Sequence, residues 1–116
     1  MTWDEVVKLG CDLPGVEEST SYGTPSLKAF GKFMTRLRAE DDSLVLVGVT
    51  FDEREMLMQA EPQTFHTTPH YKDYPSVLAR LAIVDPGTVR RFFERRWREV
   101  APKKAVKQYD ADKGAA

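Results

Sequence analysis

The sequence predicts an α+β domain in which an antiparallel β-sheet carries its helices on one face. Three observations lead there. A chain of 116 residues, 41% hydrophobic and 30% charged, has the size and composition of one domain around one core. Its apolar spacing changes from helical to alternating near Ser19, and helices and strands bury different periods. Between two alternating runs stands Gly31-Lys32, the mark of a tight hairpin joining neighbouring strands.

The elements follow in order. Thr2-Trp3-Asp4-Glu5 reads as a capping box opening a helix from about Thr2 to Asp12. Trp3, Val6, Val7, Gly10 and Cys11 fall on one face of it, and Cys11 is expected as a small buried hydrophobe. Leu13-Pro14-Gly15 stops the helix. Ser26 to Phe30 and Phe33 to Arg38 are the two hairpin strands, and Glu40-Asp41-Asp42 makes the next turn. Ser43 to Val47 is nearly all apolar, as suits a central strand. Thr50-Phe51-Asp52-Glu53 is a second capping box, opening a helix to Ala60 with Met56, Leu57 and Ala60 as its buried stripe.

Phe65 to Tyr74 reads as a short strand and turn, which Pro69 and Pro75 restrict to an edge. Val77 to Ile83 is the last strand. Asp85-Pro86 caps the final helix, with Val89, Phe92, Phe93, Trp97 and Val100 facing the core. Arg96 falls within that stripe and is expected to find an ion pair or backbone carbonyls. Pro102 ends the helix, Lys103 to Tyr109 adds a turn, and residues 110–116 read as a frayed tail. The domain is therefore expected to span residues 1–109.

Composition excludes several function classes. A single cysteine builds no disulfide framework. No apolar run approaches the roughly 18–20 residues that cross a bilayer, and the acidic start of the chain is unlike a secretory signal. A cytoplasmic monomer without a membrane role is expected. His66 and His70 are spaced i, i+4, but Pro69 breaks the helix that spacing would need for zinc, and no cysteine stands near. No metal and no cofactor are expected, and the histidine is read as a turn residue whose ring hydrogen-bonds backbone or packs on Tyr71. Neither a nucleophile elbow nor a Gly-rich phosphate loop is present. Asp41-Asp42 and Glu53/Glu55 read as solvated charge, so no enzyme is expected.

The net charge of −1 conceals segregation. Acids crowd residues 1–20 and 40–61, whereas Lys28, Lys32, Arg36 and Arg38 stand in a stretch without any. Strict alternation puts Leu27, Ala29, Phe33, Thr35 and Leu37 on one hairpin face and Lys28, Phe30, Met34, Arg36 and Arg38 on the other. In the last strand Leu78, Arg80 and Ala82 separate from Val77, Ala79, Leu81 and Ile83. With helices on the first face, the second presents cations interleaved with an aromatic. That pattern suits phosphate contact with base stacking, and it equally suits an ordinary solvated sheet face.

Three blocks carry a family resemblance. Gly23-Thr24-Pro25-Ser26-Leu27-Lys28 with Gly31-Lys32-Phe33-Met34-Thr35-Arg36-Leu37, then Thr68-Pro69-His70-Tyr71-Lys72-Asp73-Tyr74-Pro75-Ser76-Val77-Leu78 with Arg80-Leu81, then Trp97-Arg98 and Val100-Ala101-Pro102-Lys103-Lys104 resemble the MmcQ/YjbR-like proteins in order and in kind. The likeness runs from about Thr2 to Tyr109. It implies a frataxin-like (CyaY-like) fold and a DNA-binding role of the double-wing type, and it implies neither iron nor a cofactor. The candidate nucleic-acid contacts are Lys28, Lys32, Arg36, Arg38, Lys72 and Arg80. The alternative is a protein-interaction or small-ligand module with no nucleic-acid role, drawing on the acidic stretch Glu40 to Glu61 and the aromatic-rich Phe65 to Tyr74.

Overall fold

Thr2 opens the first helix as its side chain predicts. Its hydroxyl oxygen accepts from the Glu5 N–H at 3.2 Å, and helix α1 runs Trp3–Cys11. The computed structural model describes residues 1–115. After α1 come β1 (Val16–Ser21), β2 (Thr24–Ala29), β3 (Lys32–Arg38) and β4 (Ser43–Val47). Helix α2 (Phe51–Ala60), the short β5 (Phe65–His66) and β6 (Ser76–Arg80) follow, and α3 (Pro86–Val100) and α4 (Lys103–Ala115) close the chain. The strands form one six-stranded antiparallel sheet in the order β1-β2-β3-β4-β6-β5. All four helices contribute apolar side chains to the core on a single sheet face. The α+β class with helices on one side is what the residues present.

The hairpin turn sits one residue earlier than the Gly31-Lys32 reading placed it. Phe30 and Gly31 carry φ of 51° and 79°, as a two-residue turn matching the strand twist requires at both central positions. A phenylalanine there is strained. Its ring is held by Trp97, 6.4 Å away between centroids, which offsets the strain.

Strict alternation also fails in β3, for a local reason. Leu27 pairs with Thr35 and Lys28 with Phe33, so Met34 is the extra residue of a bulge. Met34 therefore joins Leu27 and Ala29 in the helix-covered core, while Phe33 turns out beside Lys28 and Arg36. The expectation had these two side chains the other way round.

Two further expectations are corrected. Cys11 is exposed, not buried. Its thiol is pushed up by partial burial and then by the Glu18 and Glu17 charges, which leaves it unactivated. In α2 the buried residue is Arg54, while Met56 is 69% exposed and Ala60 faces solvent. Of the expected stripe only Leu57 packs against the core, and Met58 joins it there. The arginine in α3 behaves as expected: Arg96 donates to the Phe33 carbonyl at 3.0 Å and pairs with Glu99 at 3.3 Å.

Residues 110–115 are not a frayed tail but the second half of α4. Asp110 accepts from Arg98 at 2.7 Å, and Glu94 accepts from the Tyr109 hydroxyl at 2.6 Å and from Lys113 at 3.2 Å. The Tyr109 bond holds the Glu94 carboxyl below the usual range, against burial and with help from Lys113 and Arg98. Burial, then the Glu94 bond, pushes the Tyr109 phenol up. A depressed carboxylate contributes stability above its unfolded value that is lost as pH falls through its folded one. A raised phenol contributes below its unfolded value and loses it as pH rises through the folded one. The docking of α4 is thus expected to be strongest across neutral pH and to weaken below about pH 4 and above about pH 10. Thermal midpoints of wild type and Glu94→Gln across that range check this, and the gap between them should close in acid.

Candidate functional site

The sheet face away from the helices is not bare. The chain between β5 and β6 folds across it and places Tyr71 over Val45, Leu78 and Val47 in a second, smaller apolar cluster. Prolines 69 and 75 forbid a regular strand here, so the segment needs another source of order. Arg54 supplies it from α2. One guanidinium nitrogen donates to the carbonyls of Tyr71 at 3.3 Å, Tyr74 at 3.1 Å and Ser76 at 3.2 Å, and the other to Lys72 at 2.7 Å. His70 stands edge-on to the Tyr71 ring at 4.8 Å, the second of the two arrangements expected for a turn histidine here.

Between this segment and the β1–β4 end of the sheet lies an open groove of about 1030 Å³. Its floor and walls include Lys28, Phe33, Arg36, Val45 and Val47 from the strands, with Tyr22, His70, Tyr71 and Tyr74 from turns. Tyr22 and Gly23, both with positive φ (54° and 75°), form the β1–β2 turn and hold the Tyr22 ring 91% exposed at the rim.

The predicted cations fall into two groups. Arg36 is 9% exposed; it donates to the Tyr71 hydroxyl, to Thr24 Oγ1 at 3.2 Å and weakly to the Leu37 carbonyl at 3.5 Å. It lies 5.5 Å from the Tyr22 ring centroid and 5.8 Å from that of Tyr71. Arg38 pairs with Glu40 at 3.2 Å and Asp41 at 2.7 Å. These two arginines bind their own fold, contrary to the picture of a free guanidinium row. Lys32 and Lys72 are exposed, Lys28 and Arg80 half-buried, and none of the four forms an ion pair among the described residues. Lys28 lines the groove, Lys32 follows its Gly31, and Lys72 follows its Tyr71. Arg80 lies farther along the sheet, opposite Ser43 of β4.

Asp41 joins a separate network. His66 meets its carboxylate at 2.7 Å, on the same oxygen that Arg38 uses. Burial opposes ionisation of Asp41, but hydrogen bonds from His66 and Ser43 and the Arg38 charge outweigh it and hold its carboxyl below the usual range. No group of three or more His, Cys, Asp or Glu side chains suited to a metal ion is present among the described residues. None of the helices among those residues is long and apolar enough to cross a membrane.

Sequence reasoning missed Tyr22, Tyr71, Tyr74 and Arg54 as parts of the site. The aromatic-rich run Phe65 to Tyr74 was visible. What it lacked was the knowledge that an arginine from α2 would fold it over the sheet.

Residues 11–99 match the family model described as YjbR. Uncharacterized proteins of Mycobacterium bovis and Mycobacterium tuberculosis are each 29% identical to the chain over 127 residues, covering 97% of it and 98% of the relative. No solved structure matches at a significant level.

Proposed function

This chain belongs to the YjbR family, and from that premise we propose that it is a non-catalytic, cytoplasmic DNA-binding protein whose phosphate contacts come from the lysines around the groove. The observation that supports this reading is the set of cations with no internal counter-charge. Lys28, Lys32 and Lys72 belong to the two structures that flank the groove, the β2–β3 hairpin and the segment before β6, and none forms an ion pair among the described residues. Unpaired surface cations release counterions when they meet phosphate, and that release is the main source of sequence-independent affinity. Arg38 takes a different part from the one first expected of it and holds the β3–β4 turn in place, while Arg36 forms part of the groove wall.

The test is duplex binding across a salt titration. Each lysine that meets a phosphate is expected to contribute about 0.9 to the slope of log affinity against log salt. The triple variant Lys28→Ala, Lys32→Ala, Lys72→Ala should flatten that slope while the thermal midpoint holds. An unchanged slope retires the reading.

A second reading, a protein-interaction module, draws on α2, which exposes Phe51 and Met56 on either side of the acids Asp52 and Glu55. Nuclease treatment separates the two. A partner that survives it and is lost with Met56→Glu favours the second.

A further inference from the structure

Arg36 poses an electrostatic problem that its surroundings leave open. It is nine-tenths buried, yet every partner it has is neutral: the Tyr71 and Thr24 hydroxyls and the Leu37 carbonyl. No carboxylate among the described residues lies within ion-pair distance of it. A guanidinium taken out of water without a counter-charge is costly, and the flanking Tyr22 and Tyr71 rings recover part of that cost. The Tyr71 hydroxyl accepts from Arg36, and no acceptor for its own proton is found among the described residues. Arg36 and Tyr71 both line the groove, as does Lys28. The one carboxylate on its lining, Glu99, is engaged by Arg96 at 3.3 Å. An anion rich in acceptor oxygens supplies what this floor lacks.

The walls specify the rest of the ligand. Tyr22 and Tyr74 are 91% and 58% exposed, and Phe33 and His70 stand with them along the groove. Exposed rings held next to a buried cation suit a ligand with a flat face at one end and a phosphate at the other. A groove of about 1030 Å³ admits a unit of that size with one side left open to solvent.

We propose that the groove holds one unpaired nucleotide, its phosphate on Arg36 and Lys28 and its base stacked on Tyr22. The proposal rests on the DNA reading of the same groove and deepens it, since a base paired within a duplex has no free face to offer a tyrosine. Single-stranded DNA is then the preferred form.

The probes are adenosine 5′-monophosphate, adenosine and inorganic phosphate, titrated separately into the full chain and followed by heteronuclear NMR. The nucleotide is expected to bind about tenfold or more tightly than either half alone. Tyr22→Asn keeps the turn, because asparagine tolerates positive φ, and should weaken nucleotide binding by about tenfold, the scale of one lost base stack. Lys28→Ala should weaken the nucleotide and leave adenosine unchanged. A single-stranded oligonucleotide should bind about tenfold more tightly than the same sequence as duplex, and Tyr22→Asn should abolish that difference. No nucleotide binding at millimolar concentration overturns the proposal, as does inorganic phosphate binding as tightly as the nucleotide. Duplex binding with no nucleotide binding sinks this inference and leaves the DNA reading standing. Nucleotide binding with no affinity for either form of DNA upholds the site and sinks that reading.

Discussion

Replacing Arg54 by alanine is expected to cost about 3–5 kcal/mol of folding stability, because four hydrogen bonds from one buried guanidinium are lost together. Arg54 is 6% exposed, and its two terminal nitrogens satisfy the carbonyls of Tyr71, Lys72, Tyr74 and Ser76. Truncation removes those bonds together, although the Tyr71 and Tyr74 carbonyls keep the N–H groups of Tyr74 and Ser76 as donors. Each neutral-to-charged bond contributes about 1.5–3 kcal/mol alone, but the four share one guanidinium and do not add. Loss of the guanidinium, at the end of its aliphatic stem, also removes the stacking over Phe51, whose ring centroid lies 4.9 Å from Cζ. Arg54→Met keeps much of that stem and restores no donor, so it should recover only a minor share. Urea unfolding measures the loss. Hydrogen exchange at Tyr74 and Ser76, whose N–H groups donate to the Tyr71 and Tyr74 carbonyls, should rise more than exchange in β2 and β3. A cost below about 1 kcal/mol with unchanged exchange would show that the segment is ordered by its other contacts.

This expectation also marks where sequence reasoning stopped. Capping residues act within one turn of themselves, so Thr2, Thr50 and Asp85 announced the starts of α1, α2 and α3, and each accepts the N–H expected of it. The alternation in β6 was legible as far as Arg80 because no bulge interrupts its pairing with β4, but the strand ends there, short of the expected Ile83, which is exposed. In β3 one inserted residue reversed Phe33 and Met34, and nothing in a run of alternating apolar and polar residues reports a bulge. The candidate site was half legible for a related reason. Lys28, Lys32 and Lys72 were placed by local pattern and lie in the hairpin and loop that form the groove. Arg36 was assigned to the correct sheet face, but its burial depends on Tyr71, which stands 35 positions further along the chain. Arg54 looked like one cation in an acidic helix. Only the fold of a distant proline-bounded loop makes it a clamp.

Trp97→Ala is expected to be comparably severe, at about 4 kcal/mol, because an aromatic removed from a closed core leaves a cavity the surroundings fill only in part. Trp97 is 0% exposed and joins four pieces of the molecule. From α3 its indole N–H donates to the Pro14 carbonyl at 2.7 Å, fixing the turn between α1 and β1. Its ring centroid lies 6.4 Å from Phe30 in the hairpin turn and 4.9 Å from Tyr109 of α4. Phe30 in turn crowds Gly15, where an added Cβ would come within 2.5 Å of the phenylalanine ring, and the φ of +75° there already favours glycine. Truncation therefore releases the ring that compensates the strained Phe30 and opens the seat of α4 together. At about 4 °C per kcal/mol for a domain of this size, the midpoint should fall by roughly 15 °C. Trp97→Phe separates the two contributions: it keeps most of the packing but orphans the Pro14 carbonyl, for an expected cost of about 1–3 kcal/mol. If the phenylalanine variant loses as much as the alanine one, the hydrogen bond and not the buried ring is what holds α3 to the first turn of the sheet.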